Sequence, residues 1–336
     1  MQETKQPERL DLSAFTQKVG LVRSEIARFV VGQTDAVDLL LSAILADGHV
    51  LIEGVPGIAK TLLAKVMARL IDARFTRLQF TPDLMPSDVL GTTIFDQRTQ
   101  DFTFRRGPVF TQLLLVDEIN RAPAKTQAAL FEVMEERQAT IDGQTYPMDN
   151  FFCIFATQNP VEQEGTYKLP EAQLDRFVLK VSMSYPTSEQ EVEILRRHQE
   201  RQRMDLNQLT PALTPAELTA MRALLDSVVV DEAILRYITA IVQLTRTSRN
   251  IYLSASPRAS VALLRLSKAY ALLCGRDFVI PDDVKRLAPA VLSHRLVLTA
   301  EAEMEGFSIE RVVQDLLQQA QVDAQSPTPP PAPPAP

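Results

Sequence analysis

The stretch HVLIEGVPGIAKT, residues 49–61, constrains the fold more than any other part of the chain. A short apolar run from His49 to Glu53 enters a loop holding Gly54, Pro56 and Gly57, and Lys60, Thr61 and Leu62 then open a helical pattern reaching about Leu70. A buried strand that feeds such a turn and then a helix aims several backbone N–H groups, and the positive end of the helix dipole, at one point. That suits a phosphate chain. Gly54, Lys60 and Thr61 match the spacing G-x-x-x-x-G-K-[ST], with Ala59 where the pattern has its second glycine. Position 59 reads as the entry to the helix, where alanine is tolerated and only a positive φ would call for glycine. The loop therefore keeps its working parts. Gly54 and Gly57 allow the tight path, Lys60 reaches terminal phosphates and the Thr61 hydroxyl ligates magnesium. Val55, Pro56, Ile58, Ala59 and Leu62 complete the expected nucleotide-binding run.

The rest of the chain supplies a sheet for this loop. Residues 35–48, DAVDLLLSAILADG, place Val37, Leu40, Leu41, Ile44 and Leu45 at helical spacing. Two further apolar runs, LLLVD (Leu113 to Asp117) and FFCIFAT (Phe151 to Thr157), have the length of central strands, with helical patterns between them. Strands alternating with helices imply a parallel sheet covered on both faces. Residues 91–108 and 139–148 instead alternate polar with apolar residues around turn signals such as Asp142-Gly143, which predicts two hairpins inserted on the core. Beyond about Tyr185 the pattern is wholly helical. Ser256 is placed to cap a helix beginning at Pro257 and stopping at Gly275, and Pro289 should kink a later helix. The last stretch, SPTPPPAPPAP, reads as an extended tail or a ligand for a proline-binding module.

Composition narrows the function classes. The 336 residues carry 35 Lys and Arg against 42 Asp and Glu, a net charge of -7, so there is no overall basic footprint for nucleic acid. Cys153 and Cys274 are far apart and form no metal-ligand spacing. No apolar run reaches the roughly 18 residues of a membrane span, and the start has no signal-type segment, so a cytoplasmic location is the simplest expectation.

Three more residues complete the candidate site. Asp117 and Glu118 end the strand LLLVDE: the first is placed to hold magnesium, the second to polarise an attacking water. Acidic pairs at strand ends are common, and only the nearby loop makes this one specific. Asn159 ends FFCIFATQN, where an amide can orient that water or simply form a turn.

Taken in order, GVPGIAKT, DEINRAPAKTQAALFEVMEE, FATQNPVEQEGTYKLPEAQLDRF and SPRAS resemble the MoxR family of AAA+ ATPases over roughly residues 12 to 315. That resemblance implies an α/β fold: a P-loop AAA+ three-layer αβα core with a parallel sheet and β-hairpin insertions, followed by an all-α lid. The corresponding segments are an N-terminal extension at 1–12, the core at 13–184, the lid at 185–320 and a proline-rich tail at 321–336. It implies ATP and Mg2+ as cofactors, with Lys60, Thr61, Asp117 and Glu118 in the roles given above and Asn159 as a first sensor. Val31, Gly32 and Gln33, within VVGQ, would lie near the adenine. Arg176, in QLDRF, matches an arginine finger that reaches a neighbouring subunit's nucleotide; a plain salt bridge to Asp175 or Glu171 is the alternative. Arg258, in SPRAS, matches a second sensor that contacts the nucleotide within the same chain, against the alternative of a solvated helix-end arginine. Lys168 and Ser254 stand where relatives often have proline and glycine. Asn120 and Arg121 also match, with no role legible in them.

The family further implies a homo-oligomeric, usually hexameric, ring. Its ATP hydrolysis would remodel or mature partner proteins, as a chaperone for complex assembly or for metal and cofactor insertion. The expected partner is a von Willebrand factor A domain protein or a metalloenzyme client, with membrane contact only through a partner and no nucleic acid. A magnesium chelatase-like motor subunit is a close variant of this reading. A nucleic-acid motor, resting on Arg105 and Arg106 in the first hairpin, and a binding switch with negligible turnover are the competing readings.

Overall fold

A computed structural model describes residues 11–98, 100–159, 166–199 and 206–320. The expected tail and all but the last two residues of the expected N-terminal extension lie outside these. In chain order, helices α1 (Ser13–Phe29) and α2 (Thr34–Leu45) precede strand β1 (His49–Glu53), and α3 (Lys60–Leu70) leads to β2 (Phe75–Gln79). Helix α4 (Pro86–Leu90) opens the hairpin β3 (Gly91–Asp96) and β4 (Asp101–Arg106). Then come β5 (Leu113–Asp117), α5 (Ala124–Glu136), the hairpin β6 (Gln138–Ile141) and β7 (Gln144–Pro147), β8 (Cys153–Gln158), α6 (Glu171–Leu174) and β9 (Phe177–Ser182).

The five-stranded sheet runs β2-β5-β8-β1-β9 with every neighbouring pair parallel. The three strands read from sequence are its centre: β5 is buried along its whole length, and β1 and β8 are buried up to their last residue. Successive side chains of a strand face opposite ways. Leu113 and Leu115 therefore join a core with α1, α2 and α3, while Leu114 and Val116 join a second core with α5 and Phe80. The hairpins form as expected. Phe104 of the first stacks on Tyr146 of the second, and Thr93 donates to Asp142 at 2.6 Å. The ring pair Phe95 and Phe102 overhangs this contact and is exposed.

Beyond β9 come α7 (Ser188–Gln199), α8 (Pro215–Ala223), α9 (Glu232–Thr247), α10 (Pro257–Leu273), α11 (Pro281–Leu292), α12 (Ala300–Met304) and α13 (Ile309–Gln319). The Ser256 hydroxyl accepts from Arg258 N, capping α10, and Gly275 follows its end. Helix α11 continues through Pro289 to Leu292. One expectation is corrected: this region is not wholly helical, because β10 (Ile251–Leu253) pairs antiparallel with β11 (Val297–Leu298). These strands are too short to show a period in the sequence.

The helical region shares the first core, with Leu263, Leu266, Leu287 and Val291 packed in the same cluster as α2. At the N-terminal edge of the sheet the junction is polar and closed. His294 is buried with Nε2 on Phe177 O at 3.0 Å, and Arg295 donates to Asp175 Oδ1 at 2.6 Å and to Phe177 O at 2.7 Å. Arg222 reaches back to Ile44 O and Asp47.

Candidate active site

The loop after β1 takes the path its glycines permit. A Cβ on Gly54 would meet Ile58 Cδ1 at 2.5 Å and the Met183 carbonyl oxygen at 2.8 Å, and Gly57 has φ +85°. A side chain fits the first position only by moving backbone. Ala59 corrects the sequence reading. It is the N-cap of α3 at φ 67° and ψ 23°, a left-handed conformation rather than a helix entry, so alanine occupies a place that glycine would fill without strain. Lys60 Nζ donates to Gly54 O at 2.6 Å, which holds its ammonium over the loop.

A cavity of about 320 Å³ opens beside this loop. Gly57, Ile58, Ala59 and Leu62 form one wall, Val30, Val31 and Gln33 a second, and Ile194, Arg197 and His198 of α7 a third. Gln33 is tied to the end of β9 through Ser184 O at 3.2 Å. Arg197 clamps α7 to the end of α1, donating to Arg28 O at 2.8 Å and to Glu193 at 2.8 Å. The α7 wall was missed in the sequence, where it reads only as a polar helix.

Asp117, Glu118 and Asn159 share the C-terminal edge of the sheet with the loop, because β5, β8 and β1 run parallel. The buried Thr157 hydroxyl organises the acidic pair: it donates to Asp117 Oδ1 at 3.1 Å and accepts Glu118 N at 3.0 Å. Asp117 also receives Arg77 Nε at 2.6 Å, and Glu118 Oε2 receives Gln79 Nε2 at 2.7 Å. Arg121 lies 3.2 Å from the same Glu118 oxygen. Glu118 itself has φ 57°, and the turn behind it is fixed by Gln127, whose amide donates to Ile119 O and Ala122 O at 3.1 Å each. Asn159 is buried at the end of β8.

Among the described residues no group of three or more His, Cys, Asp or Glu is placed to hold a metal. Thr61 and Asp117 are a donor set of two oxygens, which suits a magnesium ion that arrives with phosphate ligands of its own.

The two arginines lie elsewhere. Phe177 of β9 pairs with His49 and Ser182 with Glu53, so Arg176 sits at the N-terminal edge of the sheet while the phosphate loop leaves the C-terminal edge. Five residues of strand separate the edges, about 16 Å. Arg176 pairs with Glu135 Oε2 at 2.8 Å, not with Asp175 or Glu171 as weighed above: Asp175 is taken by Arg295 and Ser256, and Glu171 by Lys168. Arg258 donates to Glu135 Oε1 at 2.8 Å, beside Arg176, and it does not line the cavity. The expectation from sequence puts Arg258 at the nucleotide of its own chain; in the structure it shares the Glu135 carboxylate with Arg176.

The parallel sheet, the phosphate loop at the end of β1 and the helical region that follows define an AAA+ core with its lid. The family described as "ATPase family associated with various cellular activities (AAA)" matches residues 49–179, and the AAA lid domain matches residues 243–316. The chain is 44% identical to the uncharacterized protein YeaC of Bacillus subtilis (strain 168) over 91% of this chain and 95% of that one. It is 43% identical to the protein named Chaperone MoxR1 of Mycobacterium tuberculosis (strain H37Rv), over 88% of this chain and 79% of that one. A crystal structure of a presumed ATPase from Cytophaga hutchinsonii superposes with a TM-score of 0.86 at 41% identity, covering 93% and 96% of the two chains. The chain belongs to the MoxR family of AAA+ ATPases.

Proposed function

We propose that this protein hydrolyses ATP with magnesium and uses the cycle, as a ring, to remodel or mature partner proteins. The observation that carries the reading is the gathering of Lys60 and Thr61, Asp117 and Glu118, and Asn159 at one edge of the sheet beside a cavity walled by Val31, Gln33 and α7.

The adenine fits the apolar part of that cavity, with Gly32 in the segment between Val31 and Gln33, and the phosphates lie along the N–H groups of the loop and the start of α3. Magnesium, when bound, draws charge from the phosphate oxygens. Thr61 and Asp117 would hold it, and Asp117 must then exchange its contact with Arg77. Lys60 leaves the Gly54 carbonyl for the terminal phosphates. Glu118 polarises the attacking water once it turns from Gln79, and Asn159 orients that water. The Arg176 and Arg258 guanidiniums, held together at the edge of the sheet opposite their own loop, serve the nucleotide of the next protomer, which is why a ring is part of the proposal.

The chaperone role rests on the family and on the relative named Chaperone MoxR1. A von Willebrand factor A domain protein is the partner proposed. The first test is phosphate release by the full chain with ATP and magnesium. Glu118→Gln should cut turnover at least about a hundredfold while ATP stays bound. The same variant, tagged and locked with ATP, should retain its partner for identification by mass spectrometry. Undiminished turnover in Glu118→Gln would remove Glu118 as base, and recovery of nucleic acid with repair proteins would overturn the chaperone reading.

A further inference from the structure

We propose that Glu135 is a positioning residue that sets Arg176 and Arg258 as one unit for delivery to the neighbouring protomer's nucleotide. This rests on the ring-ATPase reading above and adds to it a residue with no role so far. Each Glu135 oxygen has its own arginine: Oε2 accepts Arg176 Nη1 and Oε1 accepts Arg258 Nη2, both at 2.8 Å. Arg176 Nη1 also donates to Phe131 O at 3.2 Å, one turn earlier on the same helix. The backbones under the two arginines are joined as well. Asp175 accepts the Ser256 hydroxyl at 2.8 Å, and Ser256 is the cap of the helix that carries Arg258.

The physical case is pre-organisation. Each arginine side chain is long and loses rotamer freedom when it is fixed, so a free one must be ordered at the moment it is needed. Two guanidiniums side by side also repel. One carboxylate between them restrains both and cancels one charge, leaving a net positive patch. Arg176 Nε is buried without a partner among the described residues, so Glu135 and Phe131 O, both on Nη1, are what hold this guanidinium in place. A carboxylate with no other task would serve either arginine. Here one residue, next to last in a 13-residue helix whose first turn follows the catalytic strand end, serves both.

The experiment uses the full chain, phosphate release, a fluorescent ATP analogue and subunit mixing. Glu135→Gln keeps the length but offers only one acceptor oxygen. We expect kcat to fall about tenfold or more, with KM and analogue affinity within about twofold of wild type. Because the lost arginines serve a neighbour, adding Glu118→Gln subunits, inert but with their arginines held, should raise the activity of Glu135→Gln above that of the two separately. Preserved analogue binding shows that the variant is folded. If it is not, Glu135→Asp, one methylene shorter, should show a smaller loss relieved by the same mixing. Turnover of Glu135→Gln within about twofold of wild type, or a loss that mixing does not relieve, overturns the role while wild-type turnover stands. Wild-type protein without turnover overturns the ATPase reading itself, and this role with it.

Discussion

Ala59 holds a left-handed backbone at the mouth of the phosphate loop, an arrangement that costs an alanine about 1 kcal/mol or more relative to glycine. Glycine also has more freedom to lose from the unfolded chain, by about 0.4–1 kcal/mol. The strain is the larger of the two. Ala59→Gly should therefore leave ATP affinity intact and raise unfolding free energy by up to about 1 kcal/mol, read from urea midpoints of the two proteins. A less stable glycine variant would mean that the Ala59 conformation is not strained. The motif was legible in the sequence because all its residues are contiguous, but the backbone at position 59 was not. Its conformation follows from where the loop must point its N–H groups, and a residue name does not carry that.

At the scale of elements, the sheet and the lid are joined through Asp175 and Arg295. The arginine side chain is 3% exposed and its partner's 18%, and burial lowers the guanidinium's pKa despite that pairing. Removing the charge of one partner leaves the other buried and uncompensated, which costs about 3–5 kcal/mol. Asp175→Asn should thus lower stability by about 3 kcal/mol in chemical denaturation, and an effect below about 1 kcal/mol would show that the amide satisfies Arg295 equally well. The central strands β5, β8 and β1 could be read directly, since strands buried on both faces are continuous apolar runs. The edge strands β2 and β9 could not: FTRLQ and FVLKVS are half-buried, with Arg77 and Gln79 on one face of the sheet and Lys180 on the other. Missing β2 also hid the partners of the acidic pair, because Arg77 and Gln79 meet Asp117 and Glu118 only through strand pairing. Glu135 stood in plain view within FEVMEE. Its importance is a matter of distance across the fold, and sequence spacing is silent about that.

At the scale of the whole molecule, His49 and His294 make the fold sensitive to acid. His49 accepts Ile154 N on Nδ1 at 3.0 Å, so its proton sits on Nε2, against Met134 O. Burial, with Arg137 and Arg222 nearby, lowers its pKa to about 3. Burial, with Arg295 and Lys180 nearby, likewise pushes His294 well below the ordinary value. In the unfolded chain both rings take up protons near pH 6.5. The unfolded state then binds more protons than the fold, so the stabilisation from a neutral ring is complete above about pH 6.5 and declines as pH falls toward 3. Well inside that window each ring contributes a slope of about 1.4 kcal/mol per pH unit. Urea unfolding at pH 7.5 and 5.5 should show the drop, and His294→Gln should make it shallower. An equal drop in the variant would assign the acid sensitivity elsewhere.

The two edges of the sheet also give each protomer a polarity. One edge bears the phosphate loop and the acidic pair, and the opposite edge bears the paired arginines. A two-fold dimer finishes both sites only if its two sheets lie antiparallel side by side, so that each edge meets its opposite. On the proposed reading, in which the arginines of one protomer serve the site of the next, a head-to-tail dimer finishes one of its two sites and leaves the other waiting. Turnover per protomer should then climb with protein concentration, and each subunit added to an open chain completes one further site until closure completes the last.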